Sequence, residues 1–447
     1  MTNNTKALKG LKAFEAAFPP RFPGMAPLPE GFRNGVRGWT IHDVDRPGLR
    51  TMDIEHVPDD LVAIHNDPAR AESLMSMYNT RLCLHRCPGC FNKQSGLYTK
   101  KNHILDMEET FAVVDAAAEV AKKTGHRLEC TKFLGPGELL ISPQVFEIIE
   151  EYAKRGIHFS IFTKGAMLGD DALAAKHFGG MGITSAKALV DKLASYANVT
   201  ILMSFQSFDP LTADALVTST VGGRLIGLTD YSRIRDMALA NLLQSAFMKE
   251  DGTTDRICML NAPIVPENIH ESFDIYRVFM ERGIPVVMTP TMVSGLGKDQ
   301  LCGQAAVMEP KEFQRLVEEL YSDIYAYNVA KGIQTLAQIE REGIASYVGA
   351  EPCNQVAHGV YLRANGVVQM CPGRFDDETT YGNALRESLE ALWAKSPHES
   401  MNLVNNRCPA KDSTCPEQDA ERTFHFGFYD RVMALLKKKL GLPDEAE

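Results

Sequence analysis

The sequence predicts an α/β fold, a partial (β/α)6 TIM-like barrel, from the pattern that begins at Leu74. From that residue on, short apolar runs alternate with amphipathic helical stretches, which is typical of repeated βα units around a parallel sheet. Glycines also stand near the C-terminal ends of the predicted helices, where a left-handed cap is expected: Gly125, Gly156 and Gly283. The 447 residues, 45% of them hydrophobic, suffice to bury a large core.

Six strands and four helices make up the predicted barrel. The strands are expected at residues 74–82, 127–134, 158–163, 199–205, 256–264 and 285–290. The helices are expected at residues 107–124, 143–155, 231–247 and 270–282. The connection at 166–197 is longer than a plain link between strands, and we predict that it is an insertion at the barrel mouth.

The chain is predicted to divide into four parts. Residues 1–73, rich in proline, glycine and arginine, are interpreted as an irregular N-terminal leader. Residues 74–308 form the barrel, and residues 309–350 form a helical connection. Residues 351–447 form a cysteine-containing extension that ends in an amphipathic helix at 426–440.

Charge and hydropathy narrow the range of partners. A net charge of -10 argues against nucleic acid, so small molecules or peptides are the expected partners. The sequence contains no stretch of about 18 apolar residues that would predict a membrane span, and the N-terminus lacks a signal-peptide pattern. We therefore expect a cytoplasmic protein. Ten cysteines at short spacings are more typical of metal or cluster ligands than of disulfides in that compartment.

The first cysteine group is Cys83-Leu-His-Arg-Cys87-Pro-Gly-Cys90, which directly follows the first predicted strand. This places three thiols at the carboxyl end of a parallel barrel, where such barrels carry their active sites. Three thiolates hold three irons of a cubane and leave the fourth iron open to another ligand. Two alternatives remain, a zinc knuckle completed by His85 and a redox pair formed by Cys87 and Cys90.

In spacing and position this group resembles the motif of the radical S-adenosylmethionine (SAM) superfamily. The resemblance implies that Cys83, Cys87 and Cys90 hold a SAM-cleaving [4Fe–4S] cluster. The family usually has an aromatic residue just before the third cysteine, whereas this chain has Gly89 there and Phe91 after it. The departure concerns the contact with adenine, and it leaves the cluster ligands in place.

The resemblance also implies SAM-binding residues at the ends of the next strands. Gly135-Pro-Gly137-Glu138 resembles the Gly-Gly-Glu motif that holds the methionyl amino group, because glycines allow close backbone approach and Glu138 pairs with an ammonium. Thr163-Lys-Gly resembles the family's Thr-Asn-Gly. Polar contacts to SAM and a cation for its carboxylate are expected from Ser204, Gln206 and either Arg224 or Arg233.

A second cysteine group lies in the C-terminal extension. Asn365-Gly366 predicts a tight hairpin turn between the segments that carry Cys353 and Cys371. A turn and an amphipathic helix at 381–393 follow, and then Cys408 and Cys415. This group resembles the SPASM and twitch extensions of radical SAM enzymes, and its four cysteines fit the twitch type, which implies one auxiliary [4Fe–4S] cluster. A structural zinc site is the alternative.

The resemblance implies an oxidoreductase that cleaves SAM reductively and abstracts hydrogen from a small metabolite such as a sugar or an aminocyclitol. A flavodoxin or ferredoxin is the implied electron donor, and the auxiliary cluster would aid electron transfer. The alternatives are a peptide-modifying enzyme, a redox-neutral epimerase in which Cys258 returns the hydrogen atom, and a noncatalytic zinc-binding protein. Cys258 has the competing interpretation of a small buried residue of the core.

Overall fold

The structure is a computed structural model, and it describes most of the chain. The described residues are 3–19, 47–91, 102–291, 296–297, 307–344, 348–349, 355–371, 380–396, 398 and 428–443. Within these ranges, every helix is too short or too polar to cross a membrane.

Twelve strands are present in the described ranges, and ten of them form one sheet while β5 and β6 form a separate hairpin. Their bounds are β1 Thr51–Ile54, β2 Cys130–Phe133, β3 His158–Thr163, β4 Val199–Ser204, β5 Thr218–Val221, β6 Arg224–Gly227, β7 Ile257–Ile264, β8 Val286–Pro290, β9 Val348–Gly349, β10 Gly359–Leu362, β11 Val367–Gln369 and β12 Thr380–Asn383.

The main sheet confirms the predicted partial barrel. Its order is β12-β11-β10-β1-β2-β3-β4-β7-β8-β9. Neighbours from β1 through β8 are all parallel, which gives six parallel strands in chain order. β9 is antiparallel to β8 at one edge, and β12 forms the other, so the sheet stays open across the described strands.

Helices cover one face of the sheet and build the main core. Most of the predicted helices are confirmed, because their apolar residues recur at helical spacing and caps fix their ends. One example is Asp106, which forms a capping box with Glu109. The helices lie at Asn3–Ala17, Asp59–Asn66, Leu74–Met77, Met107–Lys123, Val145–Lys154, Ala166–Gly169, Asp171–Phe178, Ala186–Ala194, Pro210–Ala215, Tyr231–Leu243, Ile269–Met280, Pro310–Ala330, Leu336–Glu342, Gln355–His358, Leu389–Trp393 and Phe428–Lys439.

The predicted first strand at 74–82 is wrong. This segment is an α-helix at Leu74–Met77 that continues as a π-helix at Tyr78–Leu82. Ser73 forms a capping box with Ser76, and the buried residues Leu74, Met77 and Tyr78 follow helical rather than alternating spacing. The apolar run was therefore assigned the wrong period.

The first strand of the barrel lies instead in the segment predicted to be an irregular leader. β1 has four buried residues, Thr51–Ile54, and pairs in parallel with β2 and β10. A strand of four residues that contains an aspartate gives little hydrophobic signal. The same range also holds a helix at Asn3–Ala17, and Phe14 from this helix packs against Phe205, Phe208 and Phe279.

The C-terminal extension contributes directly to the same sheet. β10 pairs with β1, and β10 and β11 form the hairpin predicted from Asn365-Gly366, with Gly366 at a φ of 79°. The connection at 166–197 differs from its prediction, because Phe178 and Leu189 of its helices are buried in the main core and none of its residues lines the cavity described below. It supplies the helical layer between β3 and β4.

Candidate active site

A cavity opens at the carboxyl edge of the parallel strands. Its volume is about 1090 Å³ when its open mouth is included. The cysteine loop lines it, together with residues of β7 and β8 and with the ends of β2, β3 and β4 and the segments that follow them. The lining residues include Tyr78, Cys83, His85, Cys87, Cys90, Phe91, Gly135, Gly137, Glu138, Phe162, Thr163, Lys164, Ser204, Gln206, Leu260 and Thr289.

The three cysteines of the first group lie together in the wall of this cavity. They belong to the connection that leads from β1 to the helix Met107–Lys123, so they follow the first parallel strand although that strand is not the predicted one. None of the three forms a disulfide. Arg86 fixes the loop, because its backbone amide donates to Val217 and its guanidinium donates to the Cys83 carbonyl at 3.1 Å.

Burial and negative neighbours disfavour free thiolates at this position. Burial, and then Glu138, raises the pKa of Cys83 well above its ordinary value. Burial also raises the pKa of Cys87 to about 11, although the Lys164 ammonium opposes the shift. With their pKa values raised, the thiols of Cys83 and Cys87 become anionic ligands more readily when a bound cation supplies the opposing charge.

The three cysteines are donors of the kind that an iron–sulfur cubane uses. A cubane distributes three thiolates over three irons, so its ligands need not converge on one point. The zinc knuckle completed by His85 stays an alternative prediction.

A glycine turn joins the cysteine loop to the predicted ammonium site. Gly137 has a φ of +81°, and an added Cβ would lie 2.1 Å from the Leu82 carbonyl oxygen. The Glu138 amide donates to that same carbonyl at 2.8 Å. Glycine is required here because only a residue without a side chain lets this turn sit against the residue that precedes Cys83.

Two hydrogen bonds orient the Glu138 carboxylate. The Thr163 hydroxyl donates to Oε2 at 2.6 Å, and the Lys164 amide donates to Oε1 at 2.8 Å. Burial raises the pKa of Glu138, while these two hydrogen bonds and the Lys164 charge oppose the rise. Thr163, which was predicted to belong to the site, therefore positions the Glu138 carboxylate.

Lys164 and Gln206 connect three strand ends across the cavity. The Lys164 ammonium donates to Gln206 Oε1 at 3.1 Å, and the Gln206 amide donates to the Ala262 carbonyl at 2.9 Å. Lys164 follows β3, Gln206 follows β4, and Ala262 lies in β7. A positive side chain is thereby held at the mouth of the cavity, and the sequence prediction had given it no role.

Buried groups behind β4 hold the strand end that carries Ser204 and Gln206. Glu271 accepts from the Ser207 hydroxyl at 2.6 Å and from the Phe208 amide at 2.7 Å. The Arg235 guanidinium donates to the Ser207 carbonyl at 2.7 Å and lies over the Phe205 ring. These contacts fix backbone geometry, and their side chains do not line the cavity.

Three of the candidate site residues named from the sequence are not brought into the cavity. Arg224 lies exposed on the β5–β6 hairpin and is not part of the lining, so the structure does not support it as the partner of the SAM carboxylate. Arg233, its alternative, is also exposed and pairs with Asp230. Cys258 is fully buried beside Leu202 and Val287, outside the lining, and burial raises its pKa.

The second cysteine group falls mostly outside the described residues. Cys371 is described and is buried after β11. Cys353, Cys408 and Cys415 lie outside the described ranges. Their assignment as ligands of an auxiliary cluster stays a prediction.

Two further residues of the cavity wall were not predicted as parts of a SAM-binding site, although His85 was named as a possible zinc ligand. The first is Tyr78, which was assigned to a strand and lies in the π-helix. The second is His85, whose two ring nitrogens have no hydrogen-bond partner although its side chain is only 1% exposed. Burial, and then Lys164 and Arg86, lowers the pKa of His85 to about 3, so the ring is neutral. Its place between two of the cysteines was the one signal that pointed to it.

Comparisons with known proteins return solved structures only. No family model matches the chain, and no curated protein matches it. The chain is similar to anSMEcpe with bound AdoMet, at 12% identity over 89% of this chain and 97% of that chain, with a TM-score of 0.48.

Two further similar structures contain peptides. One is anSMEcpe with bound AdoMet and Cp18Cys peptide, at 12% identity over 88% of this chain and 97% of that chain, with a TM-score of 0.48. The other is Streptococcus suis SuiB bound to precursor peptide SuiA, at 13% identity over 86% of this chain and 76% of that chain, with a TM-score of 0.43.

Proposed function

We propose that this protein is a radical SAM enzyme. The observation that supports the proposal most directly is the position of Cys83, Cys87 and Cys90 in the wall of one cavity together with Glu138, at the carboxyl edge of six parallel strands. This is the edge at which parallel barrels carry chemistry. The three cysteines and Glu138 are separated in the sequence, but in the fold they line the same cavity.

Six residues of the cavity have a defined role in the proposal. Cys83, Cys87 and Cys90 hold a [4Fe–4S] cluster, which when bound supplies the electron that cleaves SAM. The Glu138 carboxylate, held by Thr163 and Lys164, binds the methionyl ammonium. Lys164 replaces Arg224 as the cation available to the methionyl carboxylate, because it lies in the lining.

The walls of the cavity favour the containment of a reactive radical. Phe133, Phe162, Leu260 and Pro290 present apolar surface to the interior. Apolar walls limit the entry of water and hold reactants in one geometry, which is the contribution a protein makes to chemistry supplied by its cofactor. A further consequence is that substrate and SAM share the same space.

The substrate class remains a proposal with two candidates. The small-metabolite prediction has no counterpart among the neighbours reported above, whereas SuiB with precursor peptide SuiA and anSMEcpe with Cp18Cys peptide fit the peptide alternative. At identities of 12% and 13%, the similarity is one of fold and does not identify the substrate. An experiment must therefore decide between the two substrate classes. Binding of a peptide library and of a sugar and aminocyclitol panel to the SAM-loaded protein distinguishes the two classes.

Electron supply and the auxiliary cluster complete the proposal. Cys353, Cys371, Cys408 and Cys415 are proposed to hold the second [4Fe–4S] cluster, whose four thiolate ligands would leave no iron open. An external flavodoxin or ferredoxin is proposed to reduce the first cluster. Net oxidation forms a double bond and lowers the mass of the substrate, whereas redox-neutral epimerisation inverts a stereocentre and leaves the mass unchanged. Mass spectrometry of the product therefore distinguishes the two reactions.

The proposal is tested by anaerobic reconstitution with iron and sulfide, followed by dithionite and SAM. Wild-type protein is expected to bind about eight irons, as two [4Fe–4S] clusters require, and to release 5′-deoxyadenosine. The triple replacement of Cys83, Cys87 and Cys90 by Ala is expected to abolish this product.

Cys130→Ala is the matched control, because Cys130 is a free, buried cysteine on β2 outside the cavity lining. It is expected to keep both iron and product. Zinc in place of iron, or cleavage of SAM by the triple variant, contradicts the proposal and returns the protein to a structural-metal function.

A further inference from the structure

Tyr78 approaches the cysteine loop from the helical turn that precedes it. It begins the π-helix Tyr78–Leu82, which leads directly into Cys83. Its side chain is buried in a small core with Leu74, Met77 and Leu82, and Cys90 packs against the same core. The ring is therefore fixed, and its hydroxyl reaches the cavity wall.

The hydroxyl of Tyr78 contacts the sulfur of the third cysteine. The Tyr78 oxygen lies 3.2 Å from Cys90 Sγ, within hydrogen-bond distance for a sulfur partner. Between a phenol and a thiol either group can donate. A thiolate bound to iron has no proton, so with a cluster in place Tyr78 must be the donor.

Burial and the Glu138 carboxylate oppose additional negative charge at the cysteines, whereas the Lys164 ammonium favours it at Cys87. Cys83 is buried, and the Glu138 carboxylate lies close enough to repel charge on both Cys83 and Cys87. Reduction of a cluster at this place adds one electron from an external reductant and forms no bond. A hydrogen bond to a ligand sulfur stabilises the more negative state, and it does so more strongly in a buried site than in water.

We propose that Tyr78 raises the reduction potential of the cluster by donating a hydrogen bond to Cys90. The inference rests on the proposed function, since it needs the cluster, and it adds to that function a residue that no cysteine motif contains. Tyr78 is a positioning residue that acts through Cys90. Hydrogen bonds to cluster sulfurs are among the factors that set the potentials of iron–sulfur proteins.

The test compares Tyr78→Phe with Tyr231→Phe in the reconstituted full chain. Both variants lose one hydroxyl from a buried tyrosine beside the cysteine loop, because the Tyr231 ring packs edge-on against the His85 ring. The Tyr231 hydroxyl, however, lies 3.5 Å from the Ser204 carbonyl and, within the described ranges, bonds no cysteine. The midpoint potential is measured by electron paramagnetic resonance in the absence of SAM. The signal of the cluster held by the first cysteine group is identified because it changes when SAM is added afterwards.

The expected result is a more negative midpoint potential in Tyr78→Phe and an unchanged one in Tyr231→Phe, with equal iron and sulfide contents. An unchanged potential in Tyr78→Phe, or an equal shift in both variants, overturns the inference. Loss of the cluster from Tyr78→Phe alone also overturns it, because the hydroxyl would then hold the loop rather than set the potential. Wild-type protein without iron or SAM cleavage contradicts the proposed function instead.

Discussion

Glu138→Gln tests the site with a change of nearly constant shape. Glutamine keeps one carbonyl oxygen to accept from the Lys164 amide, which lies 2.8 Å from Glu138 Oε1. Its amino group would face Thr163, whose hydroxyl oxygen is able to accept a hydrogen bond as well as donate one. The variant should therefore fold and load iron, while it loses the negative charge that faces the SAM ammonium.

The expected loss of affinity follows from the hydrogen bond that is weakened. Hydrogen bonds to charged groups contribute about 1.5–3 kcal/mol, and about 1.4 kcal/mol corresponds to a tenfold change in Kd. The Kd for SAM should therefore rise by about tenfold to a hundredfold. Isothermal titration calorimetry on the reconstituted protein measures it directly, without depending on turnover.

Glu55→Gln is the matched control for this prediction. Glu55 is also a buried acid that accepts from a hydroxyl, of Tyr361, and from a backbone amide, of Ala364 at 2.7 Å. It lies outside the cavity lining, so its replacement should leave the Kd for SAM unchanged. The reasoning is refuted if Glu138→Gln binds SAM like the wild type, or if both variants lose affinity equally.

Three further predictions concern stability and the second cysteine group. Burial lowers the pKa of His56 to about 3, so the unfolded chain binds one more proton between about pH 3 and 6.5. Through this residue, the free energy of unfolding should fall by about 2 kcal/mol from pH 7 to pH 5. Urea denaturation should therefore show a weaker dependence of that free energy on pH in His56→Gln than in the wild type. Equal slopes in the two proteins would contradict this prediction. Asp53→Ala should cost about 3–5 kcal/mol in guanidinium denaturation, because it removes the carboxylate that lies 3.0 Å from the buried ammonium of Lys132 on β2. Adding Lys132→Met should recover part of that loss, and no recovery would rule out the charge as its cause. Cys408→Ala should lower iron and sulfide content while SAM cleavage continues, and an unchanged iron content would exclude Cys408 as a ligand.

Long elements with strong periodicity were predictable from the sequence. The helix Met107–Lys123 and the strand His158–Thr163 agree with their predictions to within a residue, because their apolar spacing and end signals point the same way. The secondary structure of residues 74–82 was not predictable, because a short apolar run fits the spacing of a helix and that of a strand equally well. β1 was missed because its four residues include Asp53, which is stabilised by Lys132 on the neighbouring strand.

The sequence by itself indicated the candidate ligands and the α/β architecture. The spacing of Cys83, Cys87 and Cys90 predicted a cluster site, and the resemblance to the radical SAM motifs added Glu138. The alternation of apolar runs and helices predicted six parallel strands. Only the tertiary structure decided which residues surround those ligands. Tyr78 reaches Cys90 and Lys164 reaches Gln206 because strand ends and loops distant in the chain meet at one edge of the sheet. Contacts of this kind depend on side-chain direction in the folded chain, which no local pattern encodes.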